Sequence, residues 1–313
     1  MTTTATTSAT STTTWVHRHD RDLVDVRGPD AHTFLQSLVS QDLDPVAPGS
    51  GVPALLLQPQ GKLIAPFRTL VLAPDHFVLD TDQGAGRVLL DGLARFKIRV
   101  KVDLSLLDDV ATLSLRGPQV DAVAAAAGIA VPGPSNDAHA TGTGDVRTVR
   151  APWGGTPGID VFAPTAIADA ITARLVEAGA EHVTDDAFET ARIEHGVVVF
   201  GRDIDESTIA QEAELELDAV SFTKGCFVGQ ELVCRIDTRG HVNRFVRRLE
   251  FADSSPAPAA GTDVLLDGKS IGTITSAAPE APVALATVRR EAESGTTVTV
   301  AGRPAVVHSR LST

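Results

Sequence analysis

The chain of 313 residues contains no tyrosine, one methionine, two tryptophans and only two cysteines. With aromatics at 4%, its core must be built mostly from Val, Leu, Ala and Ile. Two cysteines cannot make the disulfide framework of a small secreted domain, so a reducing, cytoplasmic compartment is the simpler expectation. Positive charge is also short. Lys and Arg number 27 against 40 Asp and Glu, a net charge of -13, which argues against nucleic acid or an anionic membrane as a general partner. No apolar run reaches bilayer length. The opening MTTTATTSATSTTT lacks an apolar h-region and an early arginine, so residues 1–14 read as a disordered leader rather than a targeting segment. HExxH, P-loop and GxSxG motifs are missing, and GAGR at 84–87 lacks the strand context of a dinucleotide fingerprint.

What is present is an internal echo. LVDVRGPDAHTFLQSLV, from Leu23, parallels TLSLRGPQVDAVAAAAG, from Thr112, each an alternating strand, then Arg-Gly-Pro, then a helical pattern. After the first copy come VPALLL, a Pro59-Gln60-Gly61 turn, KLIAPFRTLVL, a helix over 84–96 and a strand KIRVKV at 97–102. After the second come a Pro/Gly-rich loop, DVRTVRA, GIDVFA, a helix over 165–178 and a short strand near His182. Both halves predict the split β-α-β pattern, giving an α+β class with a duplicated core. A helix is expected from Asp185 to His195, followed by the acidic loop RDIDESTIAQEAELELDA. From Phe245 onward short alternating strands with an Asp267-Gly268 hairpin signal predict a small all-β barrel. The expected organisation is a leader at 1–14, a first α+β half at 15–107, a second at 108–243 and a β-barrel at 244–313, with strand exchange between the halves allowed.

Both cysteines fall in FTKGCFVGQELVCRIDTRG. Lys224 and a helix opening after Gly229 would stabilise a Cys226 thiolate, and Gly225 and Gly229 allow close backbone approach. A small buried apolar residue is the competing reading of Cys226. Cys234, between Val233 and Ile236, is expected to pack, and the spacing fits no zinc pattern. Residues 224–248 carry six cations against Glu231 and Asp237, which suits either an anionic ligand tail or pairing with the acidic loop at 203–218.

KGCFVGQE at 224–231 resembles the signature of YgfZ-type folate-binding proteins, relatives of the glycine-cleavage T-protein (aminomethyltransferase). VRGPDAHTFLQSLVSQDL, LLLQPQGKLIAPFR, LARFKIRVKV, ARIEHGVVVFGRDID and the terminal β domain extend the resemblance over nearly the whole chain. It implies a ring-like three-domain arrangement that binds tetrahydrofolate. It also implies a role in assembly or repair of iron–sulfur proteins, whose clients or assembly factors would be the partners. Carried onto this sequence, the resemblance makes Cys226 the reactive residue with Lys224 beside it. It sets Gly225, Gly229, Gln230, Glu231, Arg235 and Arg192 around the folate, and Asp160, in GGTPGIDVF, on the pterin. Alanine at position 210 replaces a proline more usual in the family. The alternative is a tetrahydrofolate-dependent aminomethyltransferase, which needs a carboxylate near the folate N5. No motif for that acid is identifiable in the first half, where Asp80 and Asp82 stay open.

Overall fold

In the computed structural model, which describes residues 13–311, the echo becomes two sheets of matching order. The expected leader falls almost wholly outside the described residues. The first half runs β1 (Trp15–His19), β2 (Arg21–Arg27), α1 (Ala31–Leu38), β3 (Gly51–Leu57), β4 (Leu63–Ala73), β5 (His76–Asp82), α2 (Ala85–Ala94) and β6 (Asp103–Leu106). The second runs β7 (Val110–Arg116), α3 (Val120–Ala126), β8 (His139–Thr141), β9 (Arg147–Arg150), β10 (Gly158–Pro164), α4 (Thr165–Glu177) and β11 (Glu181–His182). The first sheet has the order β3-β4-β5-β2-β6, and the second repeats it as β8-β9-β10-β7-β11, with β1 inserted between β7 and β11. Trp15–His19, at the start of the first half, thus pairs in the second sheet, a strand exchanged between the halves. Strand β1 pairs antiparallel with β7 and parallel with β11.

Period-two alternation explains the layers. On β2, β4 and β5 one face carries Val24, Val26, Ala65, Phe67, Phe77 and Leu79, which pack under Phe34, Leu35 and Leu38 of α1 and Leu89 and Leu93 of α2. On β7 and β10 the equivalent face carries Leu113, Leu115, Ile159 and Val161, packed under α3 and α4. The opposite faces of the two sheets meet, with Leu23, Leu70 and Val78 of the first against Val149 and Phe162 of the second. Helices therefore cover both outer faces of a sheet-on-sheet seam. Each fully buried Leu or Phe contributes about 1.5–3 kcal/mol of burial free energy.

Two expectations need correcting. KIRVKV does not pair: residues 97–102 run as irregular backbone, and the edge strand begins at Asp103. The strand HFVLDTD, absent from the sequence reading, is a central strand of the first sheet.

Next come α5 (Asp185–Glu194), α6 (Glu216–Ala219) and α7 (Gln230–Arg239). Their apolar residues join Leu55, Leu57 and Leu63 to the last domain through Val246 and Leu285. That domain is a closed barrel of β12 (Arg244–Phe251), β13 (Asp263–Leu266), β14 (Lys269–Ala277), β15 (Val283–Arg289), β16 (Thr297–Val300) and β17 (Arg303–Ser309). Asp267 and Gly268 both have positive φ, as the hairpin signal required. Among the described residues no helix is long and apolar enough to cross a membrane.

Candidate functional site

At one end of the seam the alternating inner positions turn from apolar to charged, and a cavity of about 570 Å³ opens there. Val52, Pro53, Pro66, Phe67, Pro152, Trp153, Val197 and Val198 give it apolar walls, and Arg21, Arg68, Asp82, Asp137 and Asp160 supply polar groups. This is the volume and the mixture typical of a small-molecule site.

The charged wall is an ion-pair lattice across the two sheets. Asp160, on β10, accepts from Arg116 Nη2 (2.6 Å) and Ser114 Oγ (3.1 Å) on one oxygen and from Arg68 Nη2 (2.9 Å) on the other. The Arg68–Asp160 pair links the halves. Asp80, fully buried, is bridged by Arg21 and Arg68. Asp82 accepts from Arg21 Nη1 (2.8 Å) and from the Phe200 N–H (2.8 Å). Burial alone would raise the Asp160 pKa, but Arg116 and Arg68 hold its carboxyl well below the usual range. Arg116 stacks its guanidinium 4.6 Å from the Trp153 ring centroid, placing a cation–π contact behind the cavity wall.

Asp137 differs from the other three. It sits at φ 59, a left-handed conformation that aspartate tolerates better than most residues. No hydrogen bond among the described residues reaches its carboxylate, and the Arg68 guanidinium stands off at 3.8 Å. Burial pushes its pKa up, against the pull of Arg68. Among the described residues the lattice thus leaves the acceptor capacity of Asp137 open, as is that of Asp218, which also lines the cavity.

The cysteine motif is elsewhere. None of residues 224–231 lines the cavity. Lys224 turns its ammonium onto the C-terminal end of α1, donating to the carbonyls of Gln36, Val39 and Gln41, each at 2.8 Å. Burial lowers the Lys224 pKa, opposed by Asp42 and Asp44. Lys224 thereby caps α1, where three carbonyls converge on its ammonium. Gly229 has φ +80, and a Cβ there would stand 2.5 Å from the Gln58 carbonyl oxygen. Gly61 faces it across the same contact, where a Cβ would meet Leu232 at 2.7 Å. The motif loop is thereby locked against the Pro59-Gln60-Gly61 turn. Gln230 accepts the Phe227 N–H (3.2 Å), which closes the loop at the start of α7. Gly225, Cys226, Glu231 and Arg235 are exposed, and both thiols are free.

Arg192 is buried at the barrel junction, bonded to Glu189, the Val197 carbonyl, Asp203 and Ser276, and so does not face the cavity. The arginines after the motif pair mainly with the acidic loop: Arg244 with Glu212 (2.9 Å) and Arg247 with Glu214 (2.7 Å). Sequence reasoning found Asp160 but missed Arg21, Arg68, Arg116, Asp137 and Trp153. For Arg68 the sequence offered only its place on the alternation of LIAPFRTLVLA, which reads as solvent-facing.

Duplicated α+β sheets packed on a seam, followed by a β-barrel, define the aminomethyltransferase (T-protein) fold class. The GCVT N-terminal domain matches residues 19–224, and the CAF17 C-terminal β-barrel domain matches 246–310. The chain is 26% identical to the aminomethyltransferase of Herpetosiphon aurantiacus, over 81% of this chain and 71% of that one. To that of Rubrobacter xylanophilus it is 28% identical, over 89% and 76%. The glycine cleavage aminomethyltransferase T from Bartonella henselae superposes with a TM-score of 0.85 at 24% identity, covering 95% of this chain and 85% of that one, a likeness of fold. The chain belongs to the YgfZ/CAF17 family within the aminomethyltransferase superfamily.

Proposed function

We propose that this protein binds a reduced folate, tetrahydrofolate, in the seam cavity and acts as an accessory factor in assembly or repair of iron–sulfur proteins. The open Asp137 carboxylate beside flat apolar walls carries the folate part. Adjacent pterin N–H groups are donors that one carboxylate accepts together, and Trp153, Phe67 and Pro66 offer surfaces for the ring. Asp160 would then act from the same wall, held in place by Arg116 and Arg68. The bound folate would supply one-carbon chemistry, while the chain's own residues orient the ring and limit water. The exposed Cys226, on its locked loop, supports the iron–sulfur part, since a partner's cluster or disulfide could reach it.

Isothermal titration with tetrahydrofolate is the test. Micromolar affinity, about -8 kcal/mol, is expected. No heat and no thermal shift at millimolar ligand would remove the folate reading. Complementation by Cys226→Ser in cells lacking the protein tests the thiol: full rescue of iron–sulfur enzyme activity would end its role.

Aminomethyl transfer is the second reading, favoured by the names of the curated relatives and by Asp137 as a cavity carboxylate. Ammonia release from an aminomethylated lipoyl carrier with tetrahydrofolate would put it first.

A further inference from the structure

Residues 95–101, RFKIRVK, alternate cation and apolar residue, yet they do not pair with a sheet, and of their apolar side chains Val100 alone packs partly on the first core. Ile98 is 73% exposed and Phe96 36% exposed. Arg95, Lys97, Arg99 and Lys101 are all exposed. Lys97 reaches Asp103 at 3.6 Å, and among the described residues Arg95, Arg99 and Lys101 have no ion pair. The segment has a defined path, because the Lys101 N–H donates to Asp30 Oδ2 (2.7 Å) and the Ile98 N–H to the Phe96 carbonyl (2.8 Å). Arg99 is held at φ 58, a conformation uncommon for arginine.

Grooves flank Phe96 on both sides. One, of about 540 Å³, includes Gln58, Pro59 and Gln60, the turn against which Gly229 is locked. The other, of about 440 Å³, includes Phe34, Ser37 and Leu38 of α1, whose C-terminal carbonyls Lys224 caps. The strip therefore borders the two elements that anchor the Cys226 loop.

We propose that this strip is a docking surface for a partner protein that presents acidic side chains around an apolar one, bound beside the Cys226 loop. Lys97 is paired with Asp103, and Asp30, Asp91 and Glu206 line the grooves, so it is Arg95, Arg99 and Lys101, without an ion pair among the described residues, that attract such a partner and orient its encounter. Exposed apolar residues rimmed by charge then give the contact a water-excluding centre. The bulk charge disfavours nucleic acid and anionic lipid, which need a field extending beyond one loop.

The probe is a short fluorescein-labelled peptide alternating glutamate with leucine, titrated by fluorescence anisotropy against the full chain. Binding should weaken about tenfold between low and physiological salt. It should also fall about tenfold in Lys97→Glu/Arg99→Glu and about threefold in Ile98→Ser, with a lysine-for-glutamate peptide not binding. No binding, or equal binding by the variants, overturns the proposal. So does stronger binding of phosphatidylserine vesicles or duplex DNA through the same residues. Self-association in sedimentation that Ile98→Ser abolishes would assign the strip to a second copy and overturn it too. Tetrahydrofolate heat and Cys226 alkylation by a small reagent should be unchanged in the variants, which shows that they fold and separates this test from the folate reading.

Discussion

Asp137 and Asp160 face one cavity with different obligations, and single substitutions separate them. Removing the Asp160 carboxylate leaves Arg116, 1% exposed, without its counter-charge and frees the Arg68 link between the sheets. Asp160→Ala should therefore cost about 3–5 kcal/mol of stability, the usual result of stranding a buried charge. Urea unfolding measures it, and any loss of folate affinity in this variant is confounded by the damage. Asp137→Asn keeps the shape and disturbs no hydrogen bond among the described residues. Its stability should change little, while tetrahydrofolate affinity should drop by about 1–3 kcal/mol if the carboxylate takes the pterin donors. A wild-type protein that binds with an Asp137→Asn variant that binds equally would move the contact to another group. Neither role was readable from GGTPGIDVF or PSNDAH, because a sequence shows which acid is present and not which guanidinium meets it.

At the scale of elements, the loop from Lys224 to Gly229 is a clamp between α1 and the Gln58–Gly61 turn. Lys224→Met would leave three carbonyls at the end of α1 without their donor, and about 1–3 kcal/mol should be lost. The rate of Cys226 alkylation at neutral pH should stay as in wild type, since the ammonium is directed at the helix; a large fall in that rate would restore the thiolate-stabilising role. Helices and barrel strands were legible because their periodicity and turn chemistry are local: α2, α4, α5, α7 and the Asp267-Gly268 hairpin stand where pattern placed them. The seam was not. Arg68, Asp80, Asp82, Ser114, Arg116 and Asp160 occupy alternate strand positions that read as solvent-facing, and only a second sheet lying on the first buries them. KIRVKV failed in the opposite sense: its alternation predicts a strand, but residues 97–102 pair with no strand among the described residues.

Across the whole molecule, the inserted strand β1 joins what the sequence divides. Its alternate residues Trp15, His17 and His19 lie on one face and meet Phe188 of α5, with His17 stacked 4.4 Å from that ring. Trp153 and His195 complete the cluster, so both tryptophans of the chain report on this junction. Burial lowers the pKa of His17 and His195 and takes His19 to about 3, although Asp160 pulls upward while Arg21, Arg116 and His17 oppose protonation. His19 donates to Ser114, which donates to Asp160, so the neutral ring is built into the seam. Unfolded, these histidines take up protons near the ordinary value of about 6.5. For His19 the unfolded state thus binds more protons between about pH 6.5 and 3, and for His17 and His195 over a window that opens at the same upper end. Stability is complete above that window and is lost as pH falls through it, by about 1.4 kcal/mol per pH unit for each histidine kept neutral. Urea midpoints followed by tryptophan fluorescence from pH 7.5 downward should show this decline before the carboxylates titrate. His19→Gln, which keeps a donor for Ser114, should flatten the slope by one histidine's share. An unchanged slope would mean that His19 is protonated in the folded chain and that the β1 junction is not the acid-sensitive part of the fold.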